Sequence, residues 1–124
     1  MSWTPTEARL RDALLASILP APGRGLPGID DVDLRAFWTR FDADAPVHLR
    51  LGLRTATLVL GGALPRLLGY PGSVADLSID EREAFITRAA ELPGASALVE
   101  IAKVVASLAY FTDPAVQATA RSRA

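Results

Sequence analysis

The sequence predicts an all-α fold, a single-domain bundle of about five helices followed by a short C-terminal turn. Half of the 124 residues are hydrophobic but only 6% are aromatic, so the core must consist mainly of Leu, Ala, Val and Ile, as in helix bundles. Apolar residues recur at three- and four-residue spacing, and no segment alternates as a strand does. A chain of this length can bury one core without disulfides or metal. We expect one domain at residues 1–117 and a frayed tail at residues 118–124.

The first helix is predicted from Pro5 to Leu19. Thr4 and Glu7 have the spacing of a capping box, and Pro5 occupies an early position where no N–H is needed. Asp30 and Asp31 can cap a second helix, which follows a proline- and glycine-rich connection. Its apolar residues share one narrow stripe: Leu34, Phe37, Trp38 and Phe41.

The third helix opens at Asp44-Ala45-Pro46 and is apolar on two nearly opposite faces. One face carries Val47, Leu51 and Leu58, and the other carries Leu49, Leu53, Ala56 and Leu60. A helix of this kind is expected at the centre of a bundle. We expect Gly61-Gly62 and Pro65 to break or kink it. The following apolar residues, Leu64, Leu67, Leu68 and Tyr70, either fold back on the fourth helix or form part of a docking surface.

A second capping box, Ser78 to Glu81, begins the fourth helix, which Pro93-Gly94 closes. Its inward residues are predicted to be Phe85, Ile86, Ala89 and Leu92. The fifth helix carries a regular stripe of Leu98, Ile101, Ala102, Val105, Leu108 and Ala109. It should end at Asp113-Pro114, where Asp113 can cap a new turn.

Two adjacent aromatic residues, Tyr110 and Phe111, precede this helix end. The stripe places Tyr110 outside the core, beside Lys103 and Ser107. We therefore expect Tyr110 to lie at the rim and contact a partner, because its hydroxyl prefers water or an acceptor. Phe111 should turn inward after the break and close the bundle.

Composition excludes several functions. The 13 basic and 14 acidic residues give a net charge of −1 and are interspersed, so nucleic acid is not an expected partner. The chain has no Cys and therefore no thiolate metal site or thiol nucleophile. No apolar run is long enough for a membrane span. The N-terminus shows neither a signal peptide nor a twin-arginine pair, which predicts a cytoplasmic location.

We find no catalytic constellation. The stretch from Gly23 to Gly28 matches G-x-G-x-x-G, but that signature must follow a strand, whereas here a helix precedes it. His48 is the only histidine, which makes a poor zinc site, and we expect it at the surface. The clustered acids Asp30, Asp31 and Asp33, as well as Glu81 and Glu83, are interpreted as helix caps. Ser107 has no recognisable base and orienting group nearby in the sequence.

Arg50 and Arg54 lie four residues apart on the remaining edge of the third helix and repel each other unless acids pair with them. Two interpretations remain open. They can form ion pairs with Asp31, Asp33, Asp44 or Glu100, or they can anchor a partner.

Four segments in order resemble a known family: ASILPAPGRGLPG, LRLGLRTATLVL, VADLSIDEREAFITRAAE and ALVEIAKVVASLAYFTDPAV. Together they are similar to the gluconate 2-dehydrogenase subunit 3-like family, small helical subunits or accessory regions of flavin-dependent GMC (glucose–methanol–choline) oxidoreductases. The resemblance runs from Leu10 to Val116. It includes an Ile-Leu-Pro turn, the helix start from Asp76 to Glu83, and a Tyr-Phe-x-Asp-Pro helix end.

This resemblance implies a non-catalytic subunit that docks on a large GMC-type flavoprotein and supports its folding, stability or assembly. FAD would belong to the partner, and this chain would hold no cofactor and no metal. Our candidates for the partner interface are Tyr110, Lys103, Tyr70, Leu67, Leu68, Arg50 and Arg54. An isolated chain could self-associate through the same surface. The alternative is a stand-alone carrier that encloses a small apolar ligand between the second, third and fifth helices.

Overall fold

The computed structural model describes residues 3–19, 28–29 and 32–122. In these ranges the chain forms α1 (Pro5–Ile18), α2 (Arg35–Asp44), α3 (Val47–Ala56), a π-helical segment (Thr57–Ala63), α4 (Leu64–Leu67), a 3-10 turn (Val74–Asp76), α5 (Ile79–Glu91), α6 (Ala95–Phe111) and α7 (Pro114–Ser122). No strand is present in the described ranges, and the all-α prediction is confirmed. None of the helices described is long and apolar enough to cross a membrane.

Both predicted capping boxes are present. At α1 the Thr4 hydroxyl accepts a hydrogen bond from the Glu7 amide at 3.1 Å, and the Glu7 carboxylate accepts one from the Thr4 amide at 3.0 Å. Ser78 and Glu81 make the same reciprocal pair at the start of α5. These local signals fix where the two helices begin, because each pair satisfies amides that the first turn leaves free.

The start of α2 differs from the prediction. Asp30 and Asp31 lie outside the described residues, and α2 begins at Arg35 without a side-chain cap on its N-cap residue, Leu34. Asp33 instead accepts a hydrogen bond from the Arg35 amide at 3.0 Å. The predicted stripe does face inward, since Trp38 and Phe41 are buried and Leu34 and Phe37 pack against the core.

Of the predicted break or kink at Gly61-Gly62, the break does not occur. The chain stays helical through Ala63, with π-helical winding, and continues directly into α4. A Cβ on Gly61 would lie 3.5 Å from the Cβ of Leu10 and 3.6 Å from its carbonyl oxygen. An added Cβ would thus be in ordinary van der Waals contact with α1, so Gly61 lies where α1 packs on the π-helical segment and does not end the helix.

The third helix is buried on only one of its two predicted apolar faces. The face of Leu53, Ala56 and Leu60 is fully buried, but the face of Val47, Leu51 and Leu58 is exposed. Helix α6 contacts α1, α3, α5 and α7, and the π-helical continuation of α3 contacts α1 and α4. Helix α3 packs against α6 at Gly52, where an added Cβ would come within 2.9 Å of the Ile101 side chain.

The buried face of α6 is rotated relative to the predicted stripe. It consists of Val99, Ala102, Val105, Ala106, Ala109 and Tyr110. Three of these six residues are alanines, which permit close approach of the neighbouring helices, whereas Val104 and Leu108 lie outside this face. This rotation reverses the predicted roles of the aromatic pair: Tyr110 is only 2% exposed and Phe111 is 55% exposed. Tyr110 thus belongs to the core.

The C-terminal segment begins with the predicted cap. Asp113 accepts a hydrogen bond from the Val116 amide at 3.1 Å, which confirms its capping role. The turn that it begins is a helix, α7, that continues to Ser122 where a frayed tail was expected from residue 118. Val116 is buried and ties α7 to the bundle.

Candidate functional site

A cluster of two arginines and two tryptophans lies where α1, α2 and α3 meet. We call Trp3, Arg11, Trp38 and Arg54 the arginine–tryptophan cluster. The Arg11 guanidinium lies 4.0 Å from the centre of the Trp38 ring and 4.9 Å from that of Trp3. Arg11 is only 6% exposed. Its charge is therefore stabilised by two aromatic faces and by Asp12 at 3.0 Å.

Arg54 completes the cluster from α3. Its guanidinium lies 4.7 Å from the Trp3 ring centre and pairs with the Glu7 carboxylate at 2.6 Å. The pKa of Glu7 is lowered, first by the hydrogen bond from the Thr4 amide and further by Arg54, against the opposing effect of desolvation. Glu7 is outside the set of acids predicted to pair with Arg54. The ion pair joins α1 to α3 across 47 positions of sequence.

A cavity of about 180 Å³ opens beside this cluster. It is lined by Trp3, Phe41, Asp42, Val47, Arg50, Leu51 and Arg54. Its walls are mainly apolar, and Val47 and Leu51 leave it open toward the surface. The Trp3 indole N–H donates to the Asp42 carboxylate at 3.3 Å, so that carboxylate is directed toward the indole.

Arg50 lines this cavity and makes one hydrogen bond to the described residues. One of its terminal nitrogens donates to the Asp42 carbonyl at 3.0 Å. Its Nε is buried without a hydrogen-bond partner among the described residues, and no carboxylate there forms an ion pair with it. The ion pairing predicted for Arg50 is thus absent from the described part of the chain.

A second candidate surface is the α6 outer face, which we define as Lys103, Val104, Ser107, Leu108, Phe111 and Thr112. These residues line an open groove. Val104, Leu108 and Phe111 are each about half exposed, at 50%, 45% and 55%. Lys103 lies at its edge and pairs with Glu100 at 3.4 Å. The face is therefore apolar along its length and charged at one side.

The seven residues predicted for a partner interface lie in four places. Lys103 is on the α6 outer face, and Arg50 and Arg54 line the cavity. Leu67 is 79% exposed, whereas Leu68 and Tyr70 are half-buried, with Tyr70 packed edge-on against Phe85 at 6.0 Å. The assignment of Tyr110 to the rim is wrong because burial encloses its ring and raises the pKa of its hydroxyl.

The remaining polar residues singled out in the sequence have structural contacts or lie apart. His48 is exposed, as predicted. Asp33 is held by Arg35, whose side-chain hydrogen bonds lower the pKa of Asp33 to about 2. The G-x-G-x-x-G stretch lies outside the described residues except for Gly28. Among the residues described, no group of three or more His, Cys, Asp or Glu side chains could hold a metal ion.

Sequence reasoning missed Trp3 and Arg11. Both contribute to the cluster through contacts with α2, and nothing in the local pattern around either residue indicates those contacts. Asp42 was missed for the same reason, since its indole partner is 39 positions away. Comparison with protein-family models, curated proteins and solved structures found no match for this chain.

Proposed function

We propose that this protein is a non-catalytic accessory subunit that docks on a large FAD-dependent GMC-type oxidoreductase and supports its folding, stability or assembly. The observation that carries the proposal is the α6 outer face, which leaves Val104, Leu108 and Phe111 half exposed on one helix. The family resemblance includes the sequence of this helix. FAD would be bound by the partner, with this chain contributing surface only.

The α6 outer face has the character of a docking surface. Full burial of one such side chain contributes roughly 1.5 to 3 kcal/mol, so three of them on one face are a substantial unused source of binding energy. Contiguous apolar patches with polar edges are typical of protein interfaces. Lys103 and Glu100 supply such an edge.

The test is capture of a large GMC-type flavoprotein from the same organism, with both chains co-expressed and this one tagged. We expect the unaltered chain to retain the flavoprotein with its FAD. The double variant Val104→Asp, Leu108→Asp should lose it while keeping its melting temperature, because both positions are already hydrated. Ile79→Asp is the matched control, since Ile79 is 81% exposed on α5, and it should retain the partner.

The proposal fails if the flavoprotein is not retained by the unaltered chain, or if the double variant binds as well as the control does. A Leu67→Asp variant separates the two candidate surfaces. If it alone prevents capture, docking uses the α4 region and the α6 outer face is not the interface. Sedimentation of the isolated chain tests the related prediction that the same surface drives self-association.

A further inference from the structure

The cavity beside the arginine–tryptophan cluster has the size of a small-molecule site. Its volume is about 180 Å³, somewhat more than the roughly 150 Å³ that accommodates benzene in an engineered protein cavity. It can therefore hold one substituted ring or a short branched chain. Trp3, Phe41 and Leu51 supply apolar walls, and the side at Val47 and Leu51 gives an entrance from solvent.

The charges around the cavity favour an anionic group on the ligand. Four charged side chains are close to it. Arg54 is paired with Glu7, and the Asp42 carboxylate accepts from the Trp3 indole. Arg50 contacts a backbone carbonyl only and keeps its Nε without a partner. A carboxylate can accept two parallel hydrogen bonds from a guanidinium, which makes it the best complement to Arg50.

Two other ligand classes fit less well. A cationic ligand could pair only with Asp42, whose carboxylate already accepts from the Trp3 indole, and it would lie beside the like charges of Arg50 and Arg54. A wholly apolar ligand would contact the apolar walls but would displace water from the Arg50 guanidinium without providing an acceptor. Desolvation of this kind is unfavourable for a charged donor.

We propose that this cavity binds a small monocarboxylate with an apolar body, the carboxylate on Arg50 and the body against Trp3, Phe41 and Leu51. Protein atoms cover the Arg50 Nε in this structure, so binding turns the guanidinium toward the cavity. One hydrogen bond to the Asp42 carbonyl is the only one that restrains this movement among the described residues. The inference concerns the chain alone and is independent of the docking proposal.

Benzoate is a suitable probe, with benzamide and benzylamine as neutral and cationic analogues of similar size. Titration of the full chain by calorimetry should give saturable binding of benzoate with a Kd on the order of 1 mM or tighter. Benzamide and benzylamine should bind at least about tenfold more weakly, because the charge-assisted hydrogen bonds are lost. The chain contains two tryptophans, and the Trp3 indole N–H resonance should shift on binding.

Two variants test the assignment. Arg50→Gln should weaken benzoate binding by at least about tenfold, and Leu51→Trp should abolish it by filling the cavity. Arg88→Gln removes an exposed arginine from α5 and is the control for a change of net charge. Thermal melts of each variant establish that the fold is intact, and Leu51 is half exposed, so its replacement should be tolerated.

The proposal is overturned if benzoate shows no saturable binding, if benzamide binds equally well, or if Arg50→Gln and Arg88→Gln have the same effect. A further outcome would assign the cavity to the protein partner. If benzoate does not bind but Leu51→Trp prevents capture of the flavoprotein, the cavity receives a side chain of the protein partner and is not a small-molecule site.

Discussion

The buried face of α6 and the arginine–tryptophan cluster are stabilised in different ways. The α6 face is built from small aliphatic residues and one tyrosine, packed against α1, α3 and α5. The cluster encloses the Arg11 guanidinium between two indole rings and adds the Glu7–Arg54 ion pair. The first region depends on non-directional burial, and the second depends on directed contacts among charged and aromatic groups.

This difference bears on function. The aliphatic side chains of the α6 face have no polar atoms that need a hydrogen-bond partner from solvent or ligand. The cluster brings fixed positive charge close to apolar walls, and at its edge Arg50 is left with an unused donor. A ligand site is therefore more readily formed beside the cluster, while the exposed side of α6 offers only apolar area for a large partner.

The largest expected effect tests the α6 region. Tyr110→Ala should lower the free energy of unfolding by about 3 to 5 kcal/mol, because it removes a large buried ring. Phe111→Ala is the matched control on the adjacent aromatic residue and should change stability by less than about 1 kcal/mol, since Phe111 is more than half exposed. Urea denaturation of both variants provides the measurement. Equal losses would contradict the rotation of α6 described above.

An intermediate effect is expected in the cluster. Arg11→Ala should lower the free energy of unfolding by about 2 kcal/mol, because it removes two cation–π contacts together with the packing of the aliphatic part of the side chain. Arg11→Met keeps most of that packing and should cost about half as much. Replacing a buried charge by an apolar residue is sometimes neutral. If Arg11→Met leaves the free energy of unfolding unchanged or raises it, the guanidinium makes no net contribution to stability. The two regions would then not be stabilised in different ways.

Some features of the fold could be predicted from the sequence and others could not. The helix starts at Thr4 and Ser78 were predicted correctly because a capping box depends on residues three positions apart. The inward stripe of α2 was predicted because the helical spacing of its apolar residues indicates which face is buried. The rotation of α6 was not predictable, since the choice between two neighbouring apolar faces depends on how closely α1, α3 and α5 approach.

The cavity was beyond sequence reasoning for a related reason. Its lining comes from the segment before α1, the end of α2 and one face of α3, and no local pattern relates those three segments. The role of Gly61 likewise depends on a contact between segments that are distant in the sequence. The pair Gly61-Gly62 is unfavourable in a helix by propensity, but the chain continues through it as a π-helical segment on which α1 packs at Leu10.

The smallest expected effect is a pH dependence that separates the two capping boxes. Glu7 and Glu81 both complete a box, but Glu7 also pairs with Arg54, whereas Glu81 has no ion pair among the described residues. The hydrogen bond from Thr4 and the pairing with Arg54 hold the pKa of Glu7 below its ordinary value of 4.5. A carboxyl group with a lowered folded-state pKa stabilises the fold fully above its unfolded pKa and loses that contribution as the pH falls through the folded-state pKa.

We therefore expect the melting temperature of the unaltered protein to fall as the pH is lowered below 4.5. Glu7→Gln should flatten this decline and lower the melting temperature at neutral pH, whereas Glu81→Gln should lower it through the weakened cap alone. Asp33 and Asp76, whose pKa values are also lowered, by Arg35 and by Ser73 respectively, are unchanged in both variants. The difference between the two variants thus isolates Glu7. Parallel pH profiles for the two variants would mean that the Arg54 pair adds nothing to the cap, and that the cluster is stabilised by its aromatic contacts alone.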